Sequence, residues 1–269
     1  MKFKCYMCGS NVAEVIADKE SMRFGCYGEN KVIVRCLKCQ LIQLFPQWED
    51  HELDKLYSNY SKKEDFPGQK RKAKVSKYLK KLVSGDILEV GFGWGDNLRY
   101  LRKCGFKMFG IDKEYSFAWE DYKPALNYDT IYAIHFLEHE KDPLKFIDWM
   151  LEHLAQNGKF ILEIPCVDDP LLKLYKNKPF QKFYWYPYHH FFFGYKTAVS
   201  LMGRVWVRNG CNVKVIRRQE YGIINHLRWL LRGKPGNWNP HIPVLDSIYK
   251  YILTKNGYSD TLVMVGTNV

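Results

Sequence analysis

Four sets of residues in this sequence have types and spacings that could do chemistry. Cys5-x-x-Cys8 and Cys36-x-x-Cys39 are two thiol knuckles, the pattern that wraps a tetrahedral Zn²⁺ with four thiolates. A redox dithiol needs one such pair; the second, matching pair favours metal and a closed structural site with no catalytic position. Gly91-Phe92-Gly93-Trp94-Gly95, preceded by Glu89, is a turn whose missing Cβ atoms let backbone N–H groups come close to a ligand. Asp112, seventeen residues beyond Gly95, stands where an acid can accept both hydroxyls of a ribose. His135-Phe-Leu-Glu138-His139 and Tyr188-His189-His190 supply imidazoles, the natural proton acceptors near neutral pH.

These residues must be positioned by local elements. Asp86 to Val90 is a short apolar run that reads as a buried strand, the glycine turn comes next, and Asp96 to Cys104 has helical amphipathicity. Lys107 to Ile111 is the next strand and ends on Asp112, which makes a strand–turn–helix–strand unit, the signature of a parallel sheet. Further strands are expected at Thr130 to Ile134, Lys159 to Ile164, Val213 to Arg217 and Thr261 to Val265, and helices at about Pro143 to Gln156 and Val244 to Leu253. A basic stretch, 68 to 83, places Val75, Tyr78, Leu79 and Leu82 at helical spacing and stops at Ser84-Gly85. The expected organisation is a zinc ribbon over 1–46, a linker and basic helix over 47–84, and an α/β domain over 85–269 with an insertion around 222–258.

Two competing motif readings fail on context. A dinucleotide fingerprint needs G-x-G-x-x-G, and Asp96 occupies the third glycine position. His135 to His139 spells the H-x-x-E-H string of inverted zinc proteases, which needs both histidines on one helix face. Here the first histidine closes an apolar strand and Asp142-Pro143 interrupts any continuing helix. The bland reading of the glycines, a tight turn and nothing more, does not account for the flanking acids.

The segment Glu89-Val-Gly-Phe-Gly-Trp-Gly95 resembles motif I of class I S-adenosylmethionine-dependent methyltransferases. Tyr128-Asp-Thr-Ile-Tyr-Ala-Ile-His-Phe-Leu-Glu-His139 resembles the same group's fourth-strand motif. Lys141-Asp-Pro-Leu and Asn157-Gly-Lys-Phe-Ile-Leu-Glu-Ile-Pro165 resemble the helix, glycine and apolar strand that come after that motif in the family. The run Val34-Arg-Cys-Leu-Lys-Cys-Gln-Leu-Ile-Gln-Leu-Phe-Pro46, with Leu56-Tyr57, looks like the linker of bacterial members bearing an N-terminal ribbon, among them sugar C-methyltransferases and glycan-cluster methyltransferases. The resemblance implies a Rossmann-like, doubly wound, mostly parallel sheet. It implies that the glycine loop packs on the methionine part of the cofactor and that Asp112 holds its ribose. Cofactor contacts are accordingly expected from Glu89, Gly91, Phe92, Gly93, Gly95, Asp112, Lys113, His135, Phe136 and Glu138. Sixteen residues separate Asp112 from Asp129, fewer than the family spends on a helix, a third strand and its loop. That strand is therefore expected to be reduced or rebuilt, and no adenine contact is assigned.

On the acceptor side, the aromatic segment Phe180 to Tyr195 reads mostly as core packing of a lid. In the family a similar H-x-x-F-F stretch bounds the substrate cleft, which makes His189, His190 and His139 the candidate bases for methyl transfer. Composition fits a globular chain: 269 residues, 46% hydrophobic and 26% charged. A net charge of +12, much of it between Lys62 and Lys81, favours anionic partners or a solvated helix face. Cys26, Cys104, Cys166 and Cys211 read as buried small residues or free thiols. The N-terminus lacks the apolar core of a signal peptide, and no apolar stretch is long enough to span a bilayer, so a cytoplasmic location is expected. The first functional reading is methyl transfer from S-adenosylmethionine to a small molecule or glycan, including a nucleotide-sugar. The alternatives are an RNA methyltransferase using the ribbon and the basic surface, and a non-catalytic cofactor-binding scaffold.

Overall fold

In the computed structural model, residues 2–18, 20–22, 31–53, 77–112, 127–235 and 242–268 are described. The apolar runs of the second half become a six-stranded sheet: β4 (Asp86–Val90), β5 (Lys107–Ile111), β6 (Tyr128–Ile134), β7 (Leu154–Pro165), β9 (Asn212–Arg218) and β10 (Thr261–Thr267). Its order is β5-β4-β6-β7-β10-β9. The first four strands are mutually parallel, and β10 runs antiparallel to both β7 and β9. This is the expected mostly parallel α/β sheet. The third-strand region falls on 113–126, outside the described residues.

Alternate side chains along each strand serve opposite faces. Leu88, Ile131, Ala133, Phe160 and Leu162 pack under α2 (Pro143–Glu152) and α5 (Tyr195–Asn209), through Ile147, Met150, Leu201 and Val205. Ile87, Met108, Tyr132, Ile161 and Val263 pack under α1 (Asp96–Lys103), through Leu98 and Leu101, together with Leu79 and Val83. Of the basic stretch, 77–79 is helical; Val75 and the lysine run before it lie outside the described residues.

The helix expected to reach Gln156 stops at Glu152, capped by His153. Leu154 already pairs with Tyr128, and the register resumes at Lys159 opposite Thr130. The bulge between them contains Asn157 at φ 60°. At Gly158 a Cβ would come within 2.8 Å of the Ala155 carbonyl and 3.0 Å of that of Tyr128, so the chain can make this entry only with glycine.

The N-terminal knuckles form a second sheet with an unanticipated member. Strands β1 (Ala13–Ala17), β2 (Val32–Cys36) and β3 (Ile42–Phe45) form an antiparallel meander, and β8 (Phe191–Phe192) adds to β3 as a fourth strand. The segment carrying the histidine pair is thus built into the ribbon. Trp48 Nε1 donates to the Pro187 carbonyl at 2.6 Å, and Leu44 N to that of His190 at 2.9 Å. Trp48, Leu44, Ile42 and Ile33 share a core with Trp185, Tyr188 and Phe192. Most of the aromatic segment is core, as expected from its composition. The region 222–258 holds two helices, α6 (Ile223–Arg232) and α7 (Pro243–Lys255), between β9 and β10. Two short helices, α3 (Pro170–Lys173) and α4 (Lys178–Tyr184), come after β7. No helix among the described residues is long and apolar enough to cross a membrane.

Candidate functional site

The carboxyl ends of β4, β5, β6 and β7 converge on one edge of the sheet, where parallel α/β sheets bind ligands. After β4 the chain turns through Gly91, Gly93 and Gly95 at φ 73°, 51° and 69°, the left-handed region that favours glycine. Gly91 N donates to the Ile111 carbonyl at 2.8 Å and Gly93 N to Asp112 Oδ2 at 2.7 Å. The loop is therefore tied to the acid that closes β5. A Cβ on Gly91 would lie 2.4 Å from the Phe136 ring, whereas one on Gly93 would meet nothing within 4 Å. Backbone at Gly93 is open to an incoming group, while Gly91 is pressed under Phe136, whose ring packs on Phe146 at 5.0 Å between centroids. Phe92 packs inward against the strand, since a Cβ on Gly110 would touch its ring at 2.9 Å.

Glu89 lies beneath this loop, 2% exposed. Its Oε1 accepts from Asn97 Nδ2 at 3.1 Å, and its Oε2 has no hydrogen-bond partner among the described residues. Burial, opposed by the Asn97 bond, pushes its carboxyl up to about 8. A buried carboxyl beside a glycine turn suits a ligand cation, and S-adenosylmethionine carries both an ammonium and a sulfonium. The residues present therefore fit that cofactor. Lys113 lies outside the described residues.

The end of β6 carries a second cluster. His135 takes φ 53°, unusual for a residue with a side chain, and its amide donates to the Glu163 carbonyl at 2.8 Å. A 3-10 turn, Leu137–His139, then brings Glu138, 1% exposed, into the interior. Glu138 Oε1 is 3.3 Å from His135 Nδ1 and 3.9 Å from His189 Nε2. His139 stacks edge-on against His189 with centroids 4.7 Å apart, and its Nδ1 lies 3.1 Å from the Tyr188 carbonyl. Burial holds the His139 imidazole below the usual range, against the pull of Glu138. His190 is fully buried, its ring nitrogens have no hydrogen-bond partner among the described residues, and burial drives it down to about 3. Its amide donates to the Glu138 carbonyl at 2.8 Å, which locks the two segments together.

Three further residues of the site were given no role from the sequence, although Glu163 lies in the quoted run Asn157 to Pro165. Glu163 on β7, 1% exposed, is 3.9 Å from His135 Nε2 and accepts from Arg218 Nη1 of β9 at 2.9 Å. Arg218 also pairs with Glu220 and sits over the Tyr78 ring at 3.8 Å. Asn97 holds Glu89 from the first turn of α1. Arg218 meets Glu163 from 55 positions away, and Asn97 meets Glu89 from eight positions away across the glycine turn, so spacing along a motif does not reveal these contacts.

The four ribbon thiols meet with all sulfurs within 4.8 Å, Cys5 and Cys39 at 3.4 Å and Cys8 and Cys36 at 3.5 Å. A Zn²⁺ with bonds of about 2.3 Å spaces its thiolates by roughly 3.8 Å, so the cluster is compatible with zinc. Burial opposes ionisation at Cys36, but the Cys39 and Lys38 amides outweigh it and bring the thiol down to about 7. Cys104, Cys166 and Cys211 are free, and Cys26 lies outside the described residues.

The match to a family model agrees with this geometry. The family described as "Methyltransferase domain" matches residues 60–206, just over half of the chain. A curated relative, the tRNA U34 carboxymethyltransferase of Alteromonas mediterranea, is 25% identical over 35% of this chain. The match spans 37% of that relative's length. Among solved structures, a SAM-dependent methyltransferase from Archaeoglobus fulgidus aligns over 79% of this chain and 99% of its own, with 16% identity and a TM-score of 0.49. A possible histamine N-methyltransferase from Thermotoga maritima aligns over 81% of this chain and 99% of its own, with 15% identity and a TM-score of 0.45. The family match, the glycine loop and the sheet order concur: the chain belongs to the methyltransferase domain family and carries a class I, S-adenosylmethionine-dependent methyltransferase domain.

Proposed function

We propose that this protein transfers the methyl group of S-adenosylmethionine to a small-molecule or glycan acceptor, a nucleotide-sugar among them. The observation that carries the reading is the glycine loop bonded to Asp112, with the buried Glu89 beneath it. In this reading Asp112 takes the ribose hydroxyls, the Gly93 and Gly95 backbone lies against the methionine part, and an oxygen of Glu89 takes the ammonium. Gly91 and Phe136 close the loop from behind, and His135 and Glu138 border the same cleft. S-adenosylmethionine supplies an electrophilic methyl: the acceptor's lone pair forms the new bond as the carbon–sulfur bond breaks and its pair returns to sulfur. The protein's part is to hold the acceptor in line and exclude water. In this reading His139 and His189, candidate bases by sequence, lie on the acceptor side, and His190 is too deeply buried to join them. The ribbon cysteines hold a structural Zn²⁺.

Calorimetric titration with S-adenosylhomocysteine tests this. Saturable micromolar binding is expected, weakened at least tenfold by Asp112→Ala. Absence of binding to folded, zinc-loaded protein would overturn the enzyme reading in favour of a scaffold. The tRNA-modifying relative supports a second reading, RNA methylation. It predicts RNA affinity that falls steeply with salt, and its absence at low salt would leave the small-molecule reading alone.

A further inference from the structure

We propose that Glu138, His139 and His189 form a second metal site, distinct from the ribbon, which binds a divalent transition-metal ion and uses it to hold a hydroxyl acceptor. One ligand atom from each lies within 4.8 Å of the others, the only such group among the described residues besides the four cysteines. Two imidazoles and one carboxylate are a donor set that suits Zn²⁺, Fe²⁺ or Mn²⁺ and leaves coordination positions open.

Glu138 Oε1 also lies 3.3 Å from His135 Nδ1, and three further observations fit an ion in the same cup. The Glu138 Oε1–His189 Nε2 separation of 3.9 Å is too long for a hydrogen bond, yet two metal–ligand bonds of about 2.1 Å can bridge it. His139 Nδ1 is held 3.1 Å from the Tyr188 carbonyl. That contact fixes Nδ1 as the protonated nitrogen and points the Nε2 lone pair elsewhere, as outer partners of metal-binding histidines commonly do. Finally, Glu138 is 1% exposed while His139 and His189 are partly open, which makes a cup closed on the protein side. Its walls are rigid: His190 N bonds the Glu138 carbonyl, and the strand after His189 is part of the ribbon sheet.

The substrate class can be named from this chemistry, and this step rests on the methyltransferase reading above. An ion with open positions beside the cofactor cleft takes the oxygen of an alcohol or vicinal diol. Its charge favours the deprotonated hydroxyl, and the proton passes to water. The nucleophile is then an oxygen, and no histidine has to act as base.

Binding of the metal alone tests the site. Protein given one equivalent of Zn²⁺ per chain, which the four thiolates take first, is titrated with Mn²⁺, which thiolates do not favour, and free Mn²⁺ is counted by electron paramagnetic resonance. One bound Mn²⁺ per chain is expected, weakened at least tenfold in Glu138→Gln and in His189→Ala and unchanged in His153→Ala. S-adenosylhomocysteine affinity of His189→Ala, measured in the same samples, should stay within about threefold of the parent and shows that the variant is folded. No bound Mn²⁺ in the parent, or equal binding in both ligand variants, would overturn the metal site. Failure of the homologue to bind the parent would instead overturn the methyltransferase reading.

Discussion

Glu89 shows how one buried side chain links stability to pH. In the unfolded chain it ionises near 4.5, whereas burial in the folded protein holds the proton up to about 8. Between those values the folded state binds the extra proton, so this group's contribution falls as pH rises through that window. Glu89→Gln removes the titration and keeps the shape. Its melting temperature should therefore exceed the parent's by several degrees at pH 8 and hardly differ at pH 4.5. The same variant should bind S-adenosylhomocysteine at least tenfold more weakly, because the ammonium loses its counter-charge. In the parent, binding at pH 7 should release up to about one proton as the cation restores the carboxylate, read as a buffer-dependent calorimetric enthalpy. A buffer-independent enthalpy would mean that Glu89 does not face the ammonium.

At the scale of elements, what was legible in the sequence is what is local. The glycine turn, its flanking acid and the strand–turn–helix–strand unit are each specified within about 25 residues, and they fold as their pattern implies. The end of α2 was misplaced because Leu154 is claimed by Tyr128, a partner 26 positions back, which no helical periodicity reports. The placement of β8 was equally hidden. Phe191 and Phe192 look like core residues and are core residues, but nothing nearby in sequence says that they pair with Gln43 and Ile42 of the ribbon. This pairing couples the four-cysteine sheet to His189 and His190. Tyr6 extends the coupling, with its hydroxyl donating to Asp142 Oδ1 at 2.5 Å and accepting from Leu144 N at 3.0 Å. Removing zinc with a chelator should therefore speed hydrogen exchange at the Phe191–Phe193 amides at least tenfold, while the amides of β4 and β6 keep their protection. Uniform exchange across the sheet, or none beyond residue 46, would show that the ribbon is energetically separate.

The whole molecule closes around a buried polar network that joins the helix pair α6 and α7 to the sheet. Gln219, after β9, donates to Asp260 Oδ2 at 2.7 Å and lies 3.5 Å from His226 Nε2 of α6; His226 Nδ1 meets the Tyr249 hydroxyl of α7 at 2.6 Å. Asp260 also accepts from the Glu220 and Tyr221 amides at about 2.9 Å. Burial drives His226 down to about 4 and Asp260 up to about 6, so both are held neutral in mildly acidic solution. Their linkages have opposite signs. His226 keeps its full contribution above its ordinary value of 6.5 and loses it as pH falls toward 4, because the unfolded chain gains the proton first. Asp260 contributes fully below its ordinary 3.8 and loses stability as pH rises toward 6. Between pH 4 and 6 the two slopes offset each other, each amounting to roughly 3 kcal/mol over its window. Denaturant melts across this range should show each linkage as a difference between a variant and the parent, since Glu89 adds its own slope to both. Asp260→Asn should then lose stability on acidification below 6.5, and His226→Gln should lose it as pH rises from 4 to 6. Parallel pH profiles for the two variants would show that these groups are not neutral partners in one network, and that the two helices are held to the sheet by packing alone.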